Sequence, residues 1–427
     1  MVAATRYQIQ RAKDMSRESC YEKKLSLLDY AFDLLDSSES PQDFTLILHL
    51  SNPPSLDQLR AGANSAMKRY PVSGSTIKNR RWIYVDNHNP PLPVYANGQP
   101  SLETFVNERF DLRVHRPIKQ ILKPNGDSEA VLVTRFHHAA ADGLSAAVWL
   151  GHQLSVAYGF ADPETSPASF CDVPLRASKT SARRSAFAFS GASDPLWTTN
   201  YIPSGARRWI TLNFPASDLQ QACRRTRTFT YNDLLATCAL EVFAQWNQKH
   251  HPQHKQKIGL WLPINIRSQS AAAFGNGTSR IRLYARYAHN SSISDKAREV
   301  RKQISWSIKN GEWVVTEPPL FTKLPRAVIS PLFNGYLRQP TVDLSTGIFT
   351  HAERWCGNAA EAFKYVTRIE CVGLLHPRQH LAINGATHQG QTWLTFTYDP
   401  ALLDAPDARA LVEMYKEQIA LARKELL

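Results

Sequence analysis

The chain has 427 residues, 43% of them hydrophobic and 20% charged, and carries a formal net charge of +13. The length allows two domains with a core each, and no run of about eighteen apolar residues occurs, which argues against a membrane-spanning helix. The basic residues fall in small groups such as Arg183-Arg184, Arg207-Arg208 and Arg224-Arg225-Thr226-Arg227, without a nucleic-acid-binding signature, so the charge reads as a solvated surface that attracts anions.

Met1 to Lys24 is polar and lacks the apolar core of a signal peptide, which makes the cytoplasm the expected location. Residues 25–38 hold a short apolar segment. Phe44–Leu50 reads as a strand, and Ser55 as the N-cap of a helix with Leu56, Leu59, Ala63 and Met67 on one face. A strand at Trp82–Val85 and a helix at Ser101–Phe110 follow. Ala130–Phe136 is short, apolar and rich in β-branched residues, the pattern of a buried strand. Leu144, Ala147, Val148, Leu150, Leu154 and Tyr158 then recur at helical spacing. From about 161 to 209 Pro, Ser, Ala and Arg dominate, as in a linker or surface loops. The second half restarts with a strand at Trp209–Phe214. Thr230 caps a helix, with Asp233 where a capping box has Glu or Gln, and Leu234, Leu235, Cys238, Ala239, Val242, Phe243 and Trp246 point inward. Ile281–Tyr287 reads as a strand. Leu381–Ile383 and Trp393–Tyr398 read as a strand pair joined by a turn-like connection over 384–391. Asp404 caps a last helix, with Pro406 in its first turn and Leu411, Tyr415, Ile419, Ala422 and Leu426 inward. Six scattered cysteines without a C-x-x-C pair read as free thiols. His250, His251 and His254, in a Lys/Gln-rich stretch, read as a solvated loop, and no metal site is expected.

Between the central strand and its helix lies Phe136-His137-His138-Ala139-Ala140-Ala141-Asp142-Gly143. A neutral imidazole at such a turn can take a proton near pH 7. A carboxylate four residues on can fix the turn, and a glycine with backbone N–H groups at a helix start can approach and stabilise negative charge. Paired histidines near a carboxylate also occur in chains with no such chemistry.

The spacing His-His-x-x-x-Asp-Gly resembles the active-site motif of the chloramphenicol-acetyltransferase-like superfamily. Its members include peptide-synthetase condensation domains, wax ester synthases, polyketide-associated acyltransferases and plant BAHD acyltransferases. Further on, the stretch from Thr230 to Thr237 resembles the helix opening of condensation domains and wax ester synthases. Pro263-Ile-Asn-Ile-Arg267 resembles their arginine motif, and Phe274-Gly275-Asn276 their Gly-Asn motif. Between Pro340 and Thr350 the chain departs from the family pattern, with only Asp343-Leu344-Ser345-Thr346-Gly347.

The resemblance implies an α/β layered fold of two chloramphenicol-acetyltransferase-like lobes in a V: residues 1–165 with the histidine motif, a linker at 166–208, and 209–427. His138 would be the general base and Gly143 N–H the oxyanion donor, with Ser345 and Thr346 as further candidates for oxyanion or acceptor contacts. His137 would be structural, and Asp142 would pair with Arg267 from the other lobe instead of acting as a second base. The implied activity is transfer of an acyl group from a coenzyme A or carrier-protein thioester to a hydroxyl or amine. The enzyme would be a stand-alone monomer of natural-product or lipid biosynthesis, with no bound cofactor, no covalent intermediate, and a channel bringing donor and acceptor to His138. The alternative is a non-catalytic condensation-like module that binds acyl carriers or partner proteins.

Overall fold

In a computed structural model of the chain, the residues described are 21–84, 101–126, 128–161, 193–252, 257–267, 274–285, 291–312, 325–337, 339, 345–353 and 360–427. The first half contributes β1 (Glu22–Lys24), α1 (Leu27–Leu35), β2 (Asp43–Ser51), α2 (Leu56–Arg69), β3 (Ser75–Lys78), β4 (Arg81–Tyr84), α3 (Leu102–Asn107), β5 (Ile118–Pro124), β6 (Glu129–His137) and α4 (Gly143–Ala157). The second contributes β7 (Arg208–Pro215), α5 (Ser217–Thr226), α6 (Tyr231–His250), β8 (Gly259–Asn265), β9 (Thr278–Tyr284), α7 (Ile293–Lys309), α8 (Arg326–Leu337), β10 (Gly347–Ala352), α9 (Ala360–Phe363), β11 (Val366–Val372), β12 (Leu381–His388), β13 (Gln391–Tyr398) and α10 (Ala405–Leu426).

Two large sheets form, each with its own core. The first sheet has the order β11-β2-β6-β5. Its central strands are covered on both faces, which is why β2 and β6 read as nearly continuous apolar runs. Helices α2 and α4 pack together beside it. Their crossing is so close that a Cβ on Gly62 would stand 2.2 Å from the Gln153 carbonyl oxygen, so only glycine fits there. The second sheet has the order β7-β13-β12-β10-β8-β9, with β10 parallel to its two neighbours and the other pairs antiparallel. Its core includes Leu234, Leu235, Phe243, Leu394, Phe396, Leu411 and Tyr415. A small third sheet, β1-β4-β3, ends in a hairpin whose turn residues Asn79 and Arg80 both have positive φ, as a two-residue type I′ turn requires. Capping boxes start α1 (Ser26 with Asp29), α2 (Ser55 with Gln58) and α6 (Thr230 with Asp233).

Several sequence expectations change. Within residues 193–208 two positions are tied into the fold, Leu196 fully buried in the second core and the Arg207 guanidinium buried against Asp43 of β2, while Tyr201 and Ile202 between them are exposed as in a surface loop. The segment 162–192 lies outside the described residues. The boundary at 209 also does not separate the sheets, because β11, from the second half, pairs antiparallel with β2 of the first. The helix expected over 101–110 closes at Asn107. The connection expected over 384–391 is a tight turn at Gln389-Gly390, both at positive φ, with strand pairing up to His388 and from Gln391. His250 ends α6 and stacks against Trp197 and Trp246 (ring centroids 4.5 and 4.3 Å), so it is not a loop residue. His254 lies outside the described residues. Among the described residues no helix is long and apolar enough to cross a membrane.

Buried polar contacts tie the first sheet to the segment that leads into and along β7. Asp43 Oδ2 accepts from Arg135 and Arg207, each at 3.0 Å. Burial alone would raise the Asp43 carboxyl, but the Arg207 and Arg135 charges hold it below the usual carboxylate range. On β11, Glu370 accepts from Trp209 Nε1 (2.9 Å) and Thr211 Oγ1 (3.1 Å) of β7.

Candidate active site

Strand β6 ends at His137, which pairs with Asp43 of β2, and the next N–H, that of His138, donates to the Gln42 carbonyl at 2.7 Å. The chain then turns through Ala139, Ala140 and Ala141, all fully buried. Asp142 is the N-cap of α4 and accepts from Ser145 N–H at 3.0 Å. Successive residues at a strand end face opposite ways, so the two histidines part. His137 is buried: its Nδ1 accepts from Ala139 N–H (3.1 Å), its Nε2 lies 3.8 Å from Asp36, and Phe110 packs edge-on.

His138 is half-buried. Its ring stacks on Phe32 of α1 (centroids 4.1 Å apart, 20° between planes) and meets the edge of Phe44 at 5.3 Å. Nδ1 is sealed from solvent, which leaves Nε2 as the edge a substrate can reach. Burial holds the imidazole below its ordinary value despite the nearby Asp142 carboxylate, so the ring is neutral at pH 7. Asn276, on the loop before β9, donates from Nδ2 to the His138 carbonyl (2.8 Å), to the Ala139 carbonyl (3.2 Å) and to Asp29 of α1 (3.2 Å). Asp29 is fully buried and also accepts from Trp82 Nε1 at 3.1 Å. Burial raises its carboxyl above the usual range although four hydrogen bonds oppose that.

Asp142 has no free lone pair for a proton. One oxygen accepts from Ser145 N–H and from Arg267 Nη2 at 2.7 Å; the other accepts from Gly277 N–H (2.9 Å) and Thr278 Oγ1 (2.6 Å). Burial would raise this carboxyl, but Arg267 and the hydroxyl and amide donors keep it low. The Arg267 side chain, only 5% exposed, also donates to Ser145 Oγ (2.7 Å) and to the Gly275 carbonyl (2.6 Å). It lies across Gly277 so closely that a Cβ there would meet Arg267 Cγ at 2.3 Å. Gly275 supplies its carbonyl from a backbone with φ 134°, a conformation that favours glycine. Asp142 and Arg267 are thus in contact across the two halves, and Asp142 is aimed away from any triad with His138.

Gly143, the first residue of α4, is exposed, with nothing within 4 Å of where a Cβ would be. The N–H groups of a helix's first turn have no partner within the helix, so the Gly143 N–H has no acceptor within α4. Thr346 is placed differently: its hydroxyl donates to the Asp194 carbonyl (2.7 Å) and accepts from Gly259 N–H (3.0 Å), which commits it to holding β8. Ser345 is buried with φ 62°. Sequence reasoning did not single out Ser145, Thr278, Asp29, Phe32 or His376. Ser145 and Thr278 carry a readable signal, one at the third helical position after the motif aspartate and the other directly after Phe274-Gly275-Asn276-Gly277. Phe32 and His376 carry none. His376 lies edge-on to Trp261 at 5.4 Å, and burial, with the Arg280 charge, holds it down to about 3. Among the described residues no group of side chains is arranged to hold a metal ion.

Neither a family model nor a curated protein sequence matches the chain. Solved structures do match it over nearly its whole length. Polyketide synthase associated protein 5 from Mycobacterium tuberculosis is 15% identical, covering 94% of this chain and 98% of its own, with a TM-score of 0.61. The starter condensation domain of rhizomide synthetase is 12% identical, covering 96% of both chains, at 0.66. The trichothecene 15-O-acetyltransferase from Fusarium sporotrichioides is 11% identical, covering 94% and 95%, at 0.65. The chain therefore has the two-lobed α/β fold of condensation domains and of the trichothecene acetyltransferase.

Proposed function

We propose that the protein is an acyltransferase that moves an acyl group from a coenzyme A or carrier-protein thioester to a hydroxyl or amine. The observation that carries this reading is the combination of a neutral His138, whose Nδ1 is sealed from solvent, with the exposed first residue of α4, Gly143. His138 Nε2 takes the proton of the acceptor as its oxygen or nitrogen bonds to the thioester carbonyl carbon. The Gly143 N–H stabilises the resulting oxyanion. Collapse breaks the carbon–sulfur bond, and the imidazolium returns its proton to the departing thiolate, so product and free thiol leave together. The thioester is already activated, so no covalent intermediate on the protein is required. Asp142 and Arg267 hold the turn and take no proton.

The test is a product-mass assay of the purified protein with a panel of acyl donors, and of His138→Ala beside it. Turnover should fall by about 10² or more on loss of the base. A folded His138→Ala protein with near-wild-type turnover would instead favour a non-catalytic module that binds acyl carriers.

A further inference from the structure

Helix α1 has a second face. Phe32 stacks on His138, while Tyr30 and Asp33, on the opposite side of the helix, line a cleft of about 580 Å³. The β3–β4 hairpin tip, Arg113 and the start of α8 complete it. Lys78, Arg80, Arg113 and Arg326 bring four positive charges, against the one carboxylate of Asp33. That carboxylate is buried and already bound by Arg113 (2.6 Å) and Arg326 (3.4 Å), so the lining carries a net excess of three positive charges. Arg80 lies over the Tyr30 ring at 4.9 Å, and Leu25, Ile77 and Pro325 give the cleft apolar walls.

The volume falls within the range of small-molecule sites, about 300–1,000 Å³, and exceeds what one phosphate fills. Concentrated positive charge in a walled cleft selects a multiply charged anion, and guanidinium forks suit phosphate oxygens. A carrier protein would bring its prosthetic arm with a single phosphodiester and dock on an open surface. Coenzyme A brings a 5′-diphosphate and a 3′-phosphate on a nucleoside with an apolar base. A helix with its side chains is about 10–12 Å across, so a ligand in this cleft lies about one helix width from the imidazole, with the flexible pantetheine arm to cover the remainder.

We infer that this cleft binds the nucleotide end of a coenzyme A thioester, which makes coenzyme A the donor. The inference rests on the acyl-transfer reading for its purpose, but its test does not need turnover. Titration of the full chain with coenzyme A, 3′-dephospho-coenzyme A and pantetheine measures the cleft directly. For the wild type the affinities should fall in that order. In Lys78→Glu, a change at an exposed position, coenzyme A affinity should drop about tenfold and pantetheine affinity much less. Arg80→Gln should behave alike, and circular dichroism checks that both are folded. With donors, kcat/KM in these variants should fall more for an acyl-coenzyme A than for the same acyl group on pantetheine. Equal binding of coenzyme A by wild type and both folded variants would overturn the inference, as would turnover from a carrier-bound donor with no measurable affinity for coenzyme A. If no donor turns over yet coenzyme A still binds in a Lys78-dependent way, the acyl-transfer reading fails and the cleft stands.

Discussion

At the scale of single residues, the site separates chemistry from support. His138 is the one group of the motif with a reachable basic atom, and its environment fixes a pH signature. Burial lowers its pKa, so the base stays neutral on going from pH 8 to below the ordinary imidazole value of about 6.5. The acid limb of kcat/KM should have its midpoint below that value; a midpoint above 7 would contradict this environment. Asp142 lies at the other extreme, with all its capacity taken by Ser145, Arg267, Gly277 and Thr278. Asp142→Ala would leave Arg267 nearly buried without a counter-charge, a loss on the order of 3–5 kcal/mol. Its expected result is a lowered Tm or insoluble protein, whereas Asp142→Asn, which can still cap α4, should be milder. Denaturation curves of the wild type and the two variants check this; a wild-type Tm in both would mean that the charge pairing with Arg267 adds nothing to stability. The motif made His138, Asp142 and Gly143 visible in the sequence because it is local. Asn276, which supports the His138 carbonyl from the second half, was visible only as part of a short glycine-containing run, since nothing local shows what an amide 138 residues away will touch.

At the scale of elements, α1 carries more than its sequence suggests. Asp29, the capping-box partner of Ser26, is fully buried and holds Asn276 and Trp82, and Phe32 forms the floor under the imidazole. Phe32 is a positioning residue. Phe32→Leu should lower kcat/KM by about two- to tenfold, the size expected of one aromatic stack, and should move the acid limb toward the ordinary imidazole value as water reaches the ring. A loss of activity with an unmoved pH profile would assign Phe32 to packing alone. Helices α4, α6 and α10 were legible because each has a polar cap followed by a long apolar period. The turn at Gln389-Gly390 was read too long, because the strands on either side continue through polar residues such as Thr387 and Thr392 that face into the sheet and pair there.

At the scale of the whole molecule, the mixed sheet-and-helix halves were legible and their entanglement was not. Local periodicity marks strands but not their partners. Ser51, the last residue of β2, donates from its N–H to the carbonyl of Tyr365, and the two are 314 residues apart. The same blindness hid Arg207 inside a basic, loop-like stretch, although its partner Asp43 needs two guanidinium groups to remain charged in the interior. The crossing of β11 into the first sheet bears on how the protein comes into being on a ribosome. When β2 has emerged, its outer neighbour does not yet exist, and at 5–20 residues per second the wait is roughly a quarter of a minute to a minute. Throughout that interval a nine-residue, largely apolar strand has one open edge, the kind of edge on which nascent chains aggregate. Residues 1–208 made alone should accumulate as aggregate, and the same fragment should become soluble when 209–427 is made beside it in the cell. A soluble, protease-resistant 1–208 fragment would show that the first half closes without its late strand. Until β11 has been translated, the newborn first half must keep that edge from finding the wrong neighbour.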